Sequence, residues 1–172
     1  MQIILVGYMG SGKSYVGNLL AEVINYPFID LDSYIEKREG YSISEIFQKK
    51  GELYFRKKET AYLKEILSEK SNLILATGGG TPCYGANNDL INSKGASTIY
   101  LKTTIEELVE RLFSEKSKRP LIEHLTTKAL LEDFIRKHLF ERSFYYNQSQ
   151  RVITTDNKSR EQIVEEIVAG LF

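Results

Sequence analysis

Apolar residues recur along this chain in two rhythms. Short runs bounded by turn residues, Gln2–Val6, Phe28–Asp30, Leu73–Ala76, Thr98–Leu101 and Arg151–Thr154, read as β-strands. Between them lie stretches with apolar positions three and four residues apart, which read as helices: Lys13–Ile24, Ser33–Arg38, Ile43–Lys50, Glu52–Leu67, a short one at Ala86–Asn92, Ile105–Glu115, Lys128–Tyr146 and Arg160–Leu171. Ser42-x-x-Glu45, Thr103-x-x-Glu106 and Ser159-x-x-Gln162 fit the capping box, in which a hydroxyl and a carboxylate or amide satisfy each other's backbone N–H groups at a helix start. Strands alternating with helices predict a parallel sheet covered on both faces. In such a sheet ligands sit beyond the carboxyl ends of the strands, so the tips after Val6, Ile29, Ala76, Leu101 and Thr154 should surround one crevice.

Composition narrows the setting. The chain has 172 residues, enough for one domain with a real core, and we read 1–172 as a single domain. Its formal net charge is zero, which gives no bulk attraction to nucleic acid or membrane. No apolar stretch is long enough to span a bilayer, and the N-terminus lacks a basic leader. The single cysteine, Cys83, allows no intrachain disulfide, so a reducing cytoplasm is the expected compartment. His124 and His138 have no metal-ligand spacing with Cys83 or each other and read as structural or exposed.

The chemistry begins at Gly7-Tyr8-Met9-Gly10-Ser11-Gly12-Lys13-Ser14, which fits the phosphate-loop pattern G-x-x-x-x-G-K-[ST] between a strand and a helix. Glycines let the backbone approach closely, and its N–H groups can wrap a polyphosphate. Lys13 would reach the β- and γ-phosphates and Ser14 would hold Mg²⁺. Asp30 and Asp32 end the second strand at the crevice. One could serve Mg²⁺ and the other accept a substrate proton, or Asp32 could simply cap the helix from Ser33. Thr77-Gly78-Gly79-Gly80-Thr81-Pro82 offers bare backbone to an anionic ligand or a flexible turn. Arg56, Arg111, Arg119 and Arg142 are each ordinary alone, but arginine suits bidentate capture of carboxylate or phosphate. The polar, basic stretch Ser114–Leu121 holds one of only three prolines and reads as a mobile lid.

In this order and spacing the motifs resemble those of the shikimate kinase family. The resemblance spans the phosphate loop, Asp30-Leu31-Asp32, Gly51-Glu52-Leu53-Tyr54-Phe55-Arg56-Lys57-Lys58-Glu59, Thr77-Gly78-Gly79-Gly80 and Arg119-Pro120-Leu121. It implies a three-layer α/β/α kinase with a central five-stranded parallel sheet. A helical substrate-binding subdomain would lie at about 33–60 and a lid at about 112–125. It implies transfer of the γ-phosphate of ATP to the 3-hydroxyl of shikimate by a cytoplasmic, monomeric enzyme with Mg²⁺. Lys13, Asp32 and Arg119 would be catalytic, Asp32 as the base. Gly10, Ser11, Gly12, Lys13, Ser14, Tyr15, Arg111, Arg119 and Asp156 would hold nucleotide, Asp156 from the loop after the last strand. Asp32, Arg56, Gly78, Gly79, Gly80 and Arg142 would hold shikimate, the two arginines at its carboxylate, while Ser14 and Asp30 serve the metal. The chain departs from the family pattern in two places. Phe144-Tyr145-Tyr146 stands where many members have Pro-Leu-Tyr, and Leu53 where proline is usual. Sister kinases acting on gluconate or nucleotides, and a non-catalytic nucleotide-binding module, are the competing readings. Neither would be expected to keep all these motifs together.

Overall fold

The computed structural model describes residues 1–171. Five strands, β1 (Gln2–Val6), β2 (Phe28–Asp30), β3 (Leu73–Ala76), β4 (Ala96–Lys102) and β5 (Arg151–Thr154), form one sheet in the order β2-β3-β1-β4-β5, every neighbouring pair parallel. The apolar run of β1 follows from its central place. Ile3 and Leu5 face one core and Ile4 and Val6 the other, so alternation has no solvent face to report. One face of the sheet is covered by α1 (Lys13–Ile24) and α8 (Arg160–Ala169). The other carries α2 (Leu31–Glu39), α3 (Ile43–Lys50), α4 (Glu52–Glu69), the short α5 (Asn87–Ile91), α6 (Ile105–Glu115) and α7 (Lys128–Tyr146).

Capping explains where several helices begin. The boxes at Ser42/Glu45 and Ser159/Gln162 are both formed. The third expected box is displaced by one residue. Thr104, not Thr103, caps α6 by accepting from the Glu107 N–H, and no reciprocal bond closes the box. Thr103 instead pairs its hydroxyl with that of Thr155 in a buried contact 2.6 Å long, tying the tip of β4 to that of β5. Helix α2 starts two residues earlier than the periodicity predicts. Its cap is Asp30, whose Oδ1 accepts from the Ser33 N–H. Asp32 therefore stands in the first turn of the helix and is not its cap.

The segment read as a lid is anchored more tightly than expected at both ends. Leu112, Ile122 and Leu125 are buried in the core, so only the stretch between them lies on the surface, with Leu121 65% exposed at its tip. Lys116 Nζ donates to the Leu125 carbonyl across the base of this loop. Among the described residues no helix is long and apolar enough to cross a membrane.

Candidate active site

The loop from β1 to α1 is backbone shaped around a cavity. Gly10 and Gly12 have φ of 81° and 92°, the left-handed region that glycine enters at little cost. Gly12 is also the N-cap of α1, and no side chain caps that helix or places an acid in its first turn. Its first N–H groups are thus left facing the cavity, where the helix dipole favours an anion. Lys13 Nζ donates to the carbonyls of Gly7 and Tyr8, which holds the lysine along the loop. Burial brings its pKa down to about 8, an effect that Asp32 and Asp30 partly oppose. Arg111 braces the loop from α6. Its Nη1 donates to the Gly10 carbonyl and its Nε to Glu107 at 2.9 Å.

This cavity, about 590 Å³, is lined by the loop, Asp30, Asp32, Gly78, Gly79, Arg111 and Arg119. A second, about 390 Å³, adjoins it and is lined by Arg56, Glu59, Phe47, the turn Gly78–Gly80, Arg142 and residues Lys118–Leu121 of the loop after α6. Asp32 and Arg119 belong to both. A third hollow of about 290 Å³ extends the first toward Tyr15, Lys158 and Arg160. The structure thus brings together Gly10, Gly12, Lys13, Ser14, Tyr15, Asp30, Asp32, Arg56, Gly78, Gly79, Gly80, Arg111, Arg119 and Arg142. Ser11 lines the third hollow, and its Oγ, buried without a hydrogen-bond partner, lies against Gly7.

Asp156 is placed elsewhere. Its carboxylate accepts from both the N–H and the hydroxyl of Thr104, the latter at 2.6 Å, and it lines none of the three cavities. Its geometry makes it a tie between the loop after β5 and the start of α6.

The partition between the first two cavities carries the titratable chemistry. No hydrogen bond engages the Asp32 carboxylate among the described residues, and burial pushes its pKa up to about 6, aided by the charges of Asp30 and Glu59. It is held against the glycine turn so closely that a Cβ on Gly78 would meet its Oδ1 at 2.9 Å. Ser14 Oγ donates to Asp30 Oδ2, which sets a hydroxyl beside a carboxylate at the phosphate loop. That donor set suits Mg²⁺, which takes few protein oxygens and fills its octahedron with phosphate and water.

The second cavity depends on a buried network. Glu59, 1% exposed, accepts from Arg56 Nη1 and from Thr81 Oγ1, each at 2.8 Å. Asn87 in turn donates to the Thr81 carbonyl and accepts from Thr60. Arg56 also lies over the Tyr84 ring, 3.8 Å from its centroid, and its Nε is buried without a hydrogen bond. A Cβ on Gly80 would fall 2.8 Å from Arg56 Nη2. Glu59 was not singled out from the sequence. Its position three residues after Arg56 in the G-E-x-x-F-R-x-x-E segment was the available signal. Arg119 Nη2 reaches Glu115 at 3.3 Å, and its Nε is buried without a partner.

A phosphate loop on one side of a carboxylate and an arginine-lined pocket on the other define an ATP-dependent phosphotransferase of the small-molecule kinase type. The family model for shikimate kinase matches residues 9–171. A shikimate kinase of Flavobacterium psychrophilum is 46% identical over 171 residues, covering 99% of both chains. That of Flavobacterium johnsoniae is 46% identical over 167 residues, covering 97% of this chain and 96% of its own. Among solved structures, shikimate kinase from Bacteroides thetaiotaomicron superposes with a TM-score of 0.91 at 35% identity, covering 99% of this chain and 98% of its own. The enzyme from Acinetobacter baumannii in complex with shikimate gives 0.88 at 34%, covering 99% and 92%. A gluconokinase from Sinorhizobium meliloti, at 21% identity and 0.57, shares the fold alone. The chain belongs to the shikimate kinase family.

Proposed function

We infer that this chain transfers the γ-phosphate of ATP to the 3-hydroxyl of shikimate, giving shikimate 3-phosphate and ADP on the route to chorismate. One observation carries the reading beyond family membership. Asp32 and Arg119 stand on the wall shared by a polyphosphate cradle and a pocket lined by two arginines. A proton acceptor and a cation at that boundary are what in-line transfer between two bound substrates requires.

In this mechanism Arg56 and Arg142 grip the shikimate carboxylate, and the Gly78–Gly80 backbone lets the ring come close. The Asp32 carboxylate takes the proton of the 3-hydroxyl as that oxygen bonds to the γ-phosphorus. The bond from phosphorus to the β-bridging oxygen breaks, and its electron pair leaves on ADP. Lys13 and Arg119 balance the charge that spreads over the transferring group. Arg111 and Tyr15 flank the nucleotide beyond the phosphates. Ser14 and Asp30 would hold Mg²⁺, which when bound shields the phosphate oxygens. Lid residues Lys118–Leu121, closing over the second cavity, would keep water from competing with the hydroxyl. We read one chain in the cytoplasm as the acting unit.

ADP release from MgATP, measured with shikimate, gluconate and nucleoside monophosphates in turn, tests this. Shikimate-dependent turnover of about 1–100 per second is expected. Turnover only with gluconate or a nucleotide would move the substrate while keeping the fold.

A further inference from the structure

Arg56 and Arg142 are held in different ways. Arg56 is locked by the buried Glu59, whereas no carboxylate among the described residues lies within ion-pair distance of Arg142. What orients Arg142 is found along its own helix. His138, Arg142 and Tyr146 are spaced four residues apart on α7 and share one face. Tyr146 Oη donates to the Gly79 carbonyl. His138 Nδ1 lies 2.8 Å from the hydroxyl of Tyr8, a phosphate-loop residue only 2% exposed. The Arg142 guanidinium, between these two anchors, lies over the Tyr8 ring at 5.7 Å and would stand 3.3 Å from a Cβ on Gly79. Phe134, one turn earlier, packs edge-on against the His138 ring at 4.4 Å and fixes its plane.

We propose that His138 is a positioning residue for acceptor binding. Through Tyr8 it ties the phosphate loop to α7 and so sets where the Arg142 guanidinium meets the acceptor carboxylate. A buried tyrosine hydroxyl left without a partner shifts to find one, because an unsatisfied buried group is costly. Arg142 lies on that ring and moves with it. The proposal rests on Arg142 being a carboxylate grip, so its test includes a variant at that position.

The test is steady-state kinetics on the full chain, varying shikimate at saturating ATP and the reverse, with thermal melts as a check on folding. H138L and Y8F are each expected to raise the KM for shikimate about three- to tenfold, the range for one lost hydrogen bond. H138L should leave kcat and the KM for ATP within about twofold. The double variant should be no worse than either single one, because both remove the same link. H138Q should recover most of the loss, since its amide can bond the Tyr8 hydroxyl as donor or acceptor. Y8F removes a single oxygen and carries the test if H138L does not fold. An unchanged KM for shikimate in Y8F, equal rises in both KM values, or additive effects in the double variant overturn the proposal. R142A separates the two levels. If it leaves the KM for shikimate unchanged, the carboxylate assignment itself falls. If it raises that KM while H138L and Y8F do not, only the positioning role of His138 falls.

Discussion

On the nucleotide side, the cradle is made from eight consecutive residues, Gly7–Ser14, and most of what it offers is backbone. On the proposed acceptor side, the lining comes from α2, α3, α4, the glycine turn, the loop after α6 and α7, spread from Asp32 to Arg142, and most of what it offers is side chain. A backbone cradle is specified locally, by glycines and a helix start, and binds any polyphosphate. A side-chain pocket is specified by packing across the whole domain and selects one acceptor. The first cavity therefore marks the class of reaction, and the second marks the substrate.

The largest effect should come from the one side chain in the cradle that carries charge. Lys13→Met removes the cation that balances the transferring group in the proposed mechanism, and kcat should fall by about a thousandfold or more. It also takes a donor away from the Gly7 and Tyr8 carbonyls, which belong to buried residues, so stability should fall by about 1–3 kcal/mol. A variant with near-normal kcat would mean that the backbone alone does the work of this half.

Asp32 sits where the two halves meet, and its titration gives a second test. With a pKa of about 6 it is ionised at neutral pH and protonated just below, so kcat/KM should fall as pH drops through 6. Asp32→Asn should lower kcat by about two to four orders of magnitude and abolish that acidic limb. Stability should move the opposite way. Between the ordinary value of 3.8 and the folded value of about 6, the folded chain keeps the proton that the unfolded chain has released. Stability from this group therefore falls as pH rises through that window and stays low above it. Asp32→Asn should then be more stable than the wild type at pH 7, by on the order of 2–3 kcal/mol, and no more stable at pH 3. Equal melting temperatures at pH 7 would show that Asp32 is not held in the desolvated state its surroundings imply.

How much of this was legible beforehand follows the same division. The phosphate loop, both strand-end aspartates and all five strands could be read from contiguous residues, because glycine spacing and buried apolar runs are local signals. The sheet order could not, since nothing in one strand names its neighbour. Arg56 and Arg142 were distinguishable from other arginines only through the family resemblance, as their meeting point is made by the turn at Gly78–Gly80. Tyr146 acts through burial and a partner distant in sequence, which no spacing reveals, and Glu59 shows itself only by its spacing from Arg56. The α6 cap was misplaced for a narrower reason. Thr103-x-x-Glu106 and Thr104-x-x-Glu107 fit the same box, and the pairing of Thr103 with Thr155 from another strand decides between them.

Two glycines two residues apart can separate the halves more finely. A methyl group at Gly78 would press on Asp32 Oδ1 at 2.9 Å, and one at Gly80 on Arg56 Nη2 at 2.8 Å. Neither has a positive φ, so alanine adds bulk without backbone strain. Gly78→Ala should mainly lower kcat and Gly80→Ala mainly raise the KM for shikimate, each by about tenfold, the effect of a small misplacement of a reacting or gripping group. If both changed the same constant, base and grip would have to be treated as one unit.

The smallest effect tests where the nucleotide side ends. Asp156 was expected to hold the nucleotide, yet its carboxylate is spent on the Thr104 N–H and hydroxyl at the start of α6. Asp156→Ala removes those bonds but leaves Thr104 to cap the helix, so the loss of stability should be about 1 kcal/mol. Arg111 lies nearly two turns further along α6 and is held by Glu107 and the Gly10 carbonyl, which do not involve Asp156. The KM for ATP should therefore rise no more than about twofold, well short of the loss of a direct polar contact. The KM for shikimate should not move, because α4, the glycine turn and α7 are untouched. A tenfold rise in the KM for ATP with an unchanged melting temperature would return Asp156 to the nucleotide site and extend the cradle beyond its eight residues.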